Sequence, residues 1–165
     1  MMMKKKVLFV CLGNICRSPL AEAIFKHKVR ERGVEHLFEA DSCGTSNYHI
    51  GDLPDERTLA NARKNGIKIH HFGRQLSTTD LENFDVILAM DNSNYHNIMR
   101  LPNAMGHKEK IKLMRSYDSV QQGEDVPDPY YGGERGFQEV FVILDRSMDQ
   151  LIDELLKFSV PEKLA

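Results

Sequence analysis

The apolar run Val7-Leu8-Phe9-Val10 ends on a cysteine, and Leu12 to Ser18 then lead straight into a helix start. No other stretch restricts the fold as tightly. Four consecutive apolar residues suit a short strand buried on both faces. Ser18-Pro19-Leu20-Ala21-Glu22-Ala23 opens a helix, with proline near its first position and good helix formers behind it. Strand, tight loop and helix N-terminus in succession aim free backbone N–H groups and the positive end of a helix dipole into the loop. An anion fits there. Arg17, with five residues between it and Cys11, can add a two-pronged contact to a phosphate. The same field favours the thiolate form of a cysteine. Cys11 would then lie beneath the phosphorus of a bound phosphate ester, a nucleophile facing an electrophile whose oxygens are already held.

Beyond this element, strands alternate with helices. A first helix over about 18–32 keeps Leu20, Ala23, Ile24 and Val29 roughly on one face and stops at Gly33. Phe38 to Ser42 form a short second strand, followed by a loop from Cys43 to Leu53. Pro54-Asp55-Glu56-Arg57 opens a helix closed by Asn65-Gly66, residues 67–77 are irregular, and 78–83 form one or two helical turns. Asp85 to Met90 is a continuous apolar strand, a helix spans about 93–100, and a weaker strand lies around 111–114. A long helix over about 134–158 carries Phe137, Val140, Phe141, Leu144, Met148, Leu151, Ile152 and Leu155 at helical spacing, a core stripe. The alternation implies an α/β fold in three layers, a parallel, Rossmann-like sheet covered by helices on both faces. Ligands of such sheets bind at the carboxyl ends of the strands, which is where Cys11 falls.

At 165 residues the chain is expected to form a single domain over 1–165. A net charge of −2 argues against a nucleic-acid binder, and no segment reaches the length of a membrane span. Charge is unevenly spread. Residues 1–35 carry eight Lys/Arg against three Asp/Glu, and residues 124–165 carry four against ten. A basic surround for the anion loop would give the first count, and so would solvated helix faces. Three cysteines make no disulfide framework, which favours a reducing compartment, the cytoplasm. Cys11 and Cys16 lack the second close Cys/His pair of a zinc site, and neither nucleotide-binding glycine motif occurs. No metal or cofactor is expected.

Cys11-Leu12-Gly13-Asn14-Ile15-Cys16-Arg17-Ser18-Pro19 resembles the signature loop of the low-molecular-weight protein tyrosine phosphatases, residue by residue over nine positions. Asp128-Pro129-Tyr130-Tyr131-Gly132, inside a stretch rich in Asp, Pro, Gly and Tyr, resembles the acid loop of the same family. The resemblance implies a four-stranded sheet and hydrolysis of phosphotyrosine in proteins, and of aryl phosphates, through a cysteinyl-phosphate. Phosphate and other oxyanions would be products or inhibitors. Cys11 would be the nucleophile. Arg17 and the loop from Leu12 through Gly13, Asn14, Ile15 and Cys16 to Ser18 would bind phosphate. Asp128 would be the acid that protonates the leaving phenolate, whose conjugate acid has a pKa of about 10, and then the base that activates water. Asp125 is its rival, and only the Asp-Pro context favours Asp128.

The same resemblance gives Asn14, at a position that tolerates positive φ, a brace made of Ser18, Ser42 and His71. It places Leu12, Ile15, Tyr48, Tyr130 and Tyr131 as substrate walls, a slot deep enough for a phosphotyrosine ring and too deep for phosphoserine. It also makes Cys16 a trap for an oxidised Cys11, as a reversible disulfide, or else a small packed residue. Cys43 is a packed bystander. Three rivals are weighed. Thiol-linked arsenate reductases need two further relay cysteines, and none follows Cys43. Protein-arginine phosphatases carry threonine where Ile15 stands. A binding or redox-sensing module that had lost catalysis would not need Asp128.

Overall fold

The computed structural model describes residues 4–130 and 133–159. Strands β1 (Lys5–Cys11), β2 (Phe38–Gly44), β3 (Val86–Ala89) and β4 (Ile111–Leu113) form one sheet in the order β2-β1-β3-β4. All three pairings are parallel, and β1 is paired along both edges, Val7 with Ala40 and Val86, Val10 with Cys43 and Ala89. Helices α1 (Arg17–Glu31), α2 (Glu56–Lys64), α3 (Thr78–Asn83), α4 (Asn92–Met99) and α5 (Glu134–Ser159) connect and cover it. The expected elements are present, with ends displaced by at most a few residues. Three 3-10 segments, Glu35–Leu37, Ala104–Lys110 and Met114–Tyr117, are additions that no apolar period announces.

Alternation along β1 sorts the core into two layers. Val7, Phe9 and Cys11 belong to the cluster that holds Leu20, Ile24 and Phe25 of α1 and Leu144, Met148, Leu151 and Ile152 of α5. Leu8 and Val10 point the other way, into a cluster with Leu76, Leu81, Ile98 and Ala104. Phe25 packs on Phe9 and Phe38 with ring centroids 5.8 and 5.5 Å apart. All eight apolar positions of the α5 stripe are buried. The first half of α1 departs from a one-faced helix, since every residue from Arg17 to Phe25 is buried. The sheet lies on one side of it and α5 on another, and the 66–75 segment closes over its start.

The basic N-terminal region does not surround the loop that follows β1. A parallel strand followed by a helix returns on itself, so Lys5 and Lys6 lie at the far end of β1 from Cys11, beside the last turns of α1. There the charges pair along helix faces. Lys28 meets Asp145 and Asp149 at 3.1 and 3.0 Å, and Arg32 meets Asp149 and Asp153 at 3.3 and 2.7 Å. Part of the charge opposition between the two ends of the sequence, Lys28 and Arg32 against Asp145, Asp149 and Asp153, therefore lies across the α1–α5 interface. Arg17 is the cation that remains at the loop.

Candidate active site

Cys11 is the last residue of β1 and Arg17 the first of α1, so Leu12 to Cys16 must reverse the chain within five residues. The outer side of this loop is tied down. The carbonyl of Cys11 accepts from Thr45 N, that of Leu12 from Ser46 N and the Ser46 hydroxyl, and that of Ile15 from Asp55 N, all at 2.8–3.0 Å. With the carbonyls held outward, the amides turn inward. Asn14 N–H donates to Cys11 Sγ at 3.3 Å, and those of Gly13, Ile15, Cys16 and Arg17 meet no acceptor among the described residues. No acidic residue occupies the first turn of α1. The arrangement is a concave set of donors at a helix N-terminus, suited to an anion.

Gly44 makes the close packing of the loop on β2 possible. A Cβ there would lie 2.7 Å from the Leu12 carbonyl oxygen and 3.1 Å from the Gly13 carbonyl carbon, both backbone atoms with no freedom to yield. Gly44→Ala is expected to cost about 1–3 kcal/mol, an overpacking penalty, read as a lower midpoint in urea unfolding. An unchanged midpoint would mean that the loop can lift off β2.

Asn14 sits at φ 59°, the left-handed region, and is fully buried. Its amide makes four side-chain bonds. Nδ2 donates to Ser18 Oγ at 2.8 Å and Ser42 Oγ at 3.1 Å, while Oδ1 accepts from Arg74 N at 3.0 Å and His71 Nε2 at 2.7 Å. The backbone N–H of Arg74 identifies the oxygen end, so His71 carries a proton on Nε2. Burial holds this imidazole below its ordinary value, with the Glu22 and Asp41 carboxylates opposing it. Glu22, which the sequence did not single out, completes the brace by accepting from Ser42 Oγ at 2.7 Å. Glu22, Asp41 and His71 could hold a metal ion by spacing; here His71 Nδ1 faces Glu22 Oε1 at 3.3 Å and Asp41 Oδ1 at 3.8 Å, while their other atoms serve Lys26, Arg74 and Asn14.

Ser18 Oγ lies 2.9 Å from Cys11 Sγ and 3.4 Å from the Cys43 carbonyl. It accepts from Asn14 Nδ2, and its own hydrogen has both the Cys43 carbonyl and the Cys11 sulfur within reach. Cys11 Sγ thus has two polar neighbours, the Asn14 N–H that donates to it and the Ser18 hydroxyl. Arg17 is almost wholly buried. It donates from Nη1 to Asp91 Oδ2 at 2.7 Å and to the Val126 carbonyl at 2.9 Å, and its Nη2 lies 3.8 Å from Asp128 Oδ2. Burial works against its charge, but Cys11, Asp91 and Asp128 outweigh that and raise the guanidinium above its ordinary value.

Cys11, Leu12, Gly13, Ile15, Cys16, Arg17, Tyr48, His49, Asp128 and Tyr130 line one cavity of about 230 Å³. Buried Cys11 and Arg17 form its inner end, and the exposed Leu12, Tyr48 and Tyr130 its rim. The guanidinium of Arg57, held by Asp55 at 2.9 Å, lies over the rings of Tyr130 and Phe137, 5.2 and 4.8 Å from their centroids. Asp125 is elsewhere: its Oδ1 accepts from both the backbone and side-chain nitrogens of Asn92 at 2.9 Å. Tyr131 lies outside the described residues. All three cysteines are free, and Cys43 is packed away from solvent. Burial pushes the Cys16 thiol up to about 12, with the Asp55, Cys11 and Asp128 charges adding to it. Cys16 is therefore protonated at neutral pH.

Asp91, like Glu22, is a residue of this site that the sequence does not single out. It follows β3, caps α4 through Asn94 N at 2.7 Å, and orients Arg17 with its other oxygen. A signal existed in its place just past the carboxyl end of a buried strand, the same position in the fold as Cys11.

Known proteins bear the same architecture. The family described as low molecular weight phosphotyrosine protein phosphatase matches residues 6–160. The low molecular weight phosphotyrosine protein phosphatase of Schizosaccharomyces pombe is 50% identical over 140 residues, which cover 84% of this chain and 89% of that protein. A protein tyrosine phosphatase from Entamoeba histolytica, solved with Hepes in its active site, superposes with a TM-score of 0.90 at 39% identity, covering 95% of this chain and all of that one. A Drosophila arginine phosphatase superposes with a TM-score of 0.81 at 35% identity over 93% of this chain and 98% of its own. On sequence and fold together, this chain belongs to the low molecular weight phosphotyrosine protein phosphatase family.

Proposed function

We propose that the chain hydrolyses phosphotyrosine in proteins, and aryl phosphates, in two steps at the Cys11 cavity. The observation that carries this reading is the convergence of Cys11, Arg17 and Asp128 on one aromatic-rimmed cavity, although Asp128 is more than 100 residues from the other two. The loop amides and Arg17 hold the three non-bridging phosphate oxygens. Cys11 Sγ attacks phosphorus and the P–O bond to tyrosine breaks. Asp128 gives its proton to the departing oxygen, releasing tyrosine and leaving phosphate on sulfur. The Asp128 carboxylate then takes a proton from water, whose oxygen attacks phosphorus. Cys11 leaves as thiolate, and inorganic phosphate departs. Arg17 meets the charge that builds on the equatorial oxygens in both transition states, held in place by Asp91. We place this activity in the cytoplasm, where thiols stay reduced.

The test is initial-rate hydrolysis by the reduced protein in the presence of a chelator, with phosphotyrosine, phosphoarginine and phosphoserine peptides side by side. The expected order puts phosphotyrosine first, because a cavity with Ile15 and Tyr130 on its walls accepts a flat ring and leaves a short side chain out of reach. Faster hydrolysis of phosphoarginine would overturn the substrate assignment and keep the chemistry. Binding of phosphate with no turnover of any peptide would make the loop a binding module.

A further inference from the structure

We propose that Arg115, outside the cavity, is the positioning residue of the acid loop, holding the backbone from which Asp128 reaches Arg17 and the leaving group. Arg115 lies in the 3-10 segment just after β4 and is buried. Each end of its guanidinium serves the same ten-residue excursion. Nε donates to Asp118 Oδ2 at 2.9 Å, Nη2 to Gln121 Oε1 at 2.8 Å, and Nη1 to the Asp125 carbonyl at 2.8 Å. Its own carbonyl accepts from Asp118 N at 3.1 Å and from Gly123 N at 2.8 Å. Asp118 is clamped from its other side by Arg146 of α5, at 2.8 and 3.0 Å. Arg146, with Arg115 behind it, keeps the Asp118 carboxyl well below the usual carboxylate range.

The rest of the segment shows what this fixation serves. Side chains 119–125 are exposed, so no apolar contact fixes their path. Beyond the Arg115 bonds, the loop is tied locally by Val120 N to Asp118 Oδ1 at 2.9 Å, Gln122 Nε2 to the Ser116 carbonyl at 3.0 Å and Glu124 N to the Gln121 carbonyl at 3.3 Å. It is tied to the rest of the fold by Asn92 on Asp125, by Val126 N to the Met90 carbonyl at 2.8 Å, and by Arg17 on the Val126 carbonyl. Pro127 follows, and then Asp128. Arg115 therefore holds the carbonyl three residues ahead of the carboxylate and spans the gap between β4 and the fastening at Val126. A planar fork can bond three groups in fixed directions, and a neutral or single-headed side chain cannot.

This inference rests on the reading of Asp128 as proton donor, and the experiment separates the two. kcat/KM is measured for wild type, Arg115→Met, Arg115→Lys and Asp128→Ala, on a phosphotyrosine peptide and on an activated aryl phosphate whose leaving group needs no proton. Folding is followed by circular dichroism and thermal melting. Arg115→Met is expected to lose roughly 10–100-fold on the phosphotyrosine peptide, the scale of a misplaced group, and less than about threefold on the activated ester. Arg115→Lys keeps an ion pair with Asp118 but not the three-way hold, so it shows the same bias and carries the test should the methionine variant fail to fold. A structural role alone would lower both rates together, in step with the melting temperature, and would overturn the proposal. Bias in Asp128→Ala without bias in either Arg115 variant would also overturn it. If Asp128→Ala shows no bias, the assignment of the acid falls and the Arg115 inference falls with it.

Discussion

Cys11→Ser is expected to abolish turnover of every phosphate monoester, by on the order of 10⁵-fold or more, while inorganic phosphate still binds. The two halves of this result have separate causes. Binding comes from the helix N-terminus, the inward amides and Arg17, none of which touches the substituted atom except Asn14 N–H. Reaction needs an anion at that atom. The Ser18 hydroxyl and the Asn14 amide contact the sulfur, and a serine hydroxyl put in its place ionises far less readily than a thiol. Isothermal titration with phosphate and initial rates on an aryl phosphate give the two readings on one sample. Activity within tenfold of wild type would move the nucleophile elsewhere.

Asp128→Ala should lower kcat/KM on a phosphotyrosine peptide by roughly 10²–10⁴, which is about 3–5 kcal/mol of transition-state stabilisation. An ester with a far more acidic phenol should lose much less, since its oxygen departs without a proton. The geometry supports the proposed Asp128 over its neighbour Asp125. Asp125 spends an oxygen on the two nitrogens of Asn92 and is not part of the cavity lining. Asp128 lines the cavity, half exposed at its rim, with Oδ1 accepting from Tyr130 N at 3.0 Å and Oδ2 turned toward Arg17. The same loss on both esters would reduce Asp128 to a binding group.

What could be read in advance was local. Cys11 to Ser18 announces itself because strand, loop and helix start are adjacent in sequence, and the α5 stripe because one helix repeats one period. The Asp-Pro of the acid loop was legible only by likeness, and so was the partnership of Asn14 with Ser42 and His71. The brace itself depends on chain segments 28 and 57 residues apart meeting at one amide. Asp91 and Arg115 escaped for a related reason. Nothing in Met90-Asp91-Asn92 or Met114-Arg115-Ser116 has a spacing that distinguishes an ion-pair partner from a surface charge. Their roles arise when β3 and β4 are laid beside β1. Of the two readings of the basic N-terminal region, helix faces hold, because sequence nearness to the loop becomes distance once α1 folds back along the strand.

The central place of β1 gives the two halves of the catalytic apparatus different lifetimes. Amides bonded on both edges of a strand exchange with solvent only when the whole molecule unfolds, and Cys11 ends such a strand. Ahead of Asp128, the exposed stretch 119–125 is held by polar ties until Val126 enters the core, so that stretch is expected to open before β1 does. Warmed or in mild urea, the molecule would lose the placement of Asp128, the proposed proton donor, while Cys11 stayed set. It would pass through a state that still takes up phosphate and still attacks activated esters, yet is blind to phosphotyrosine.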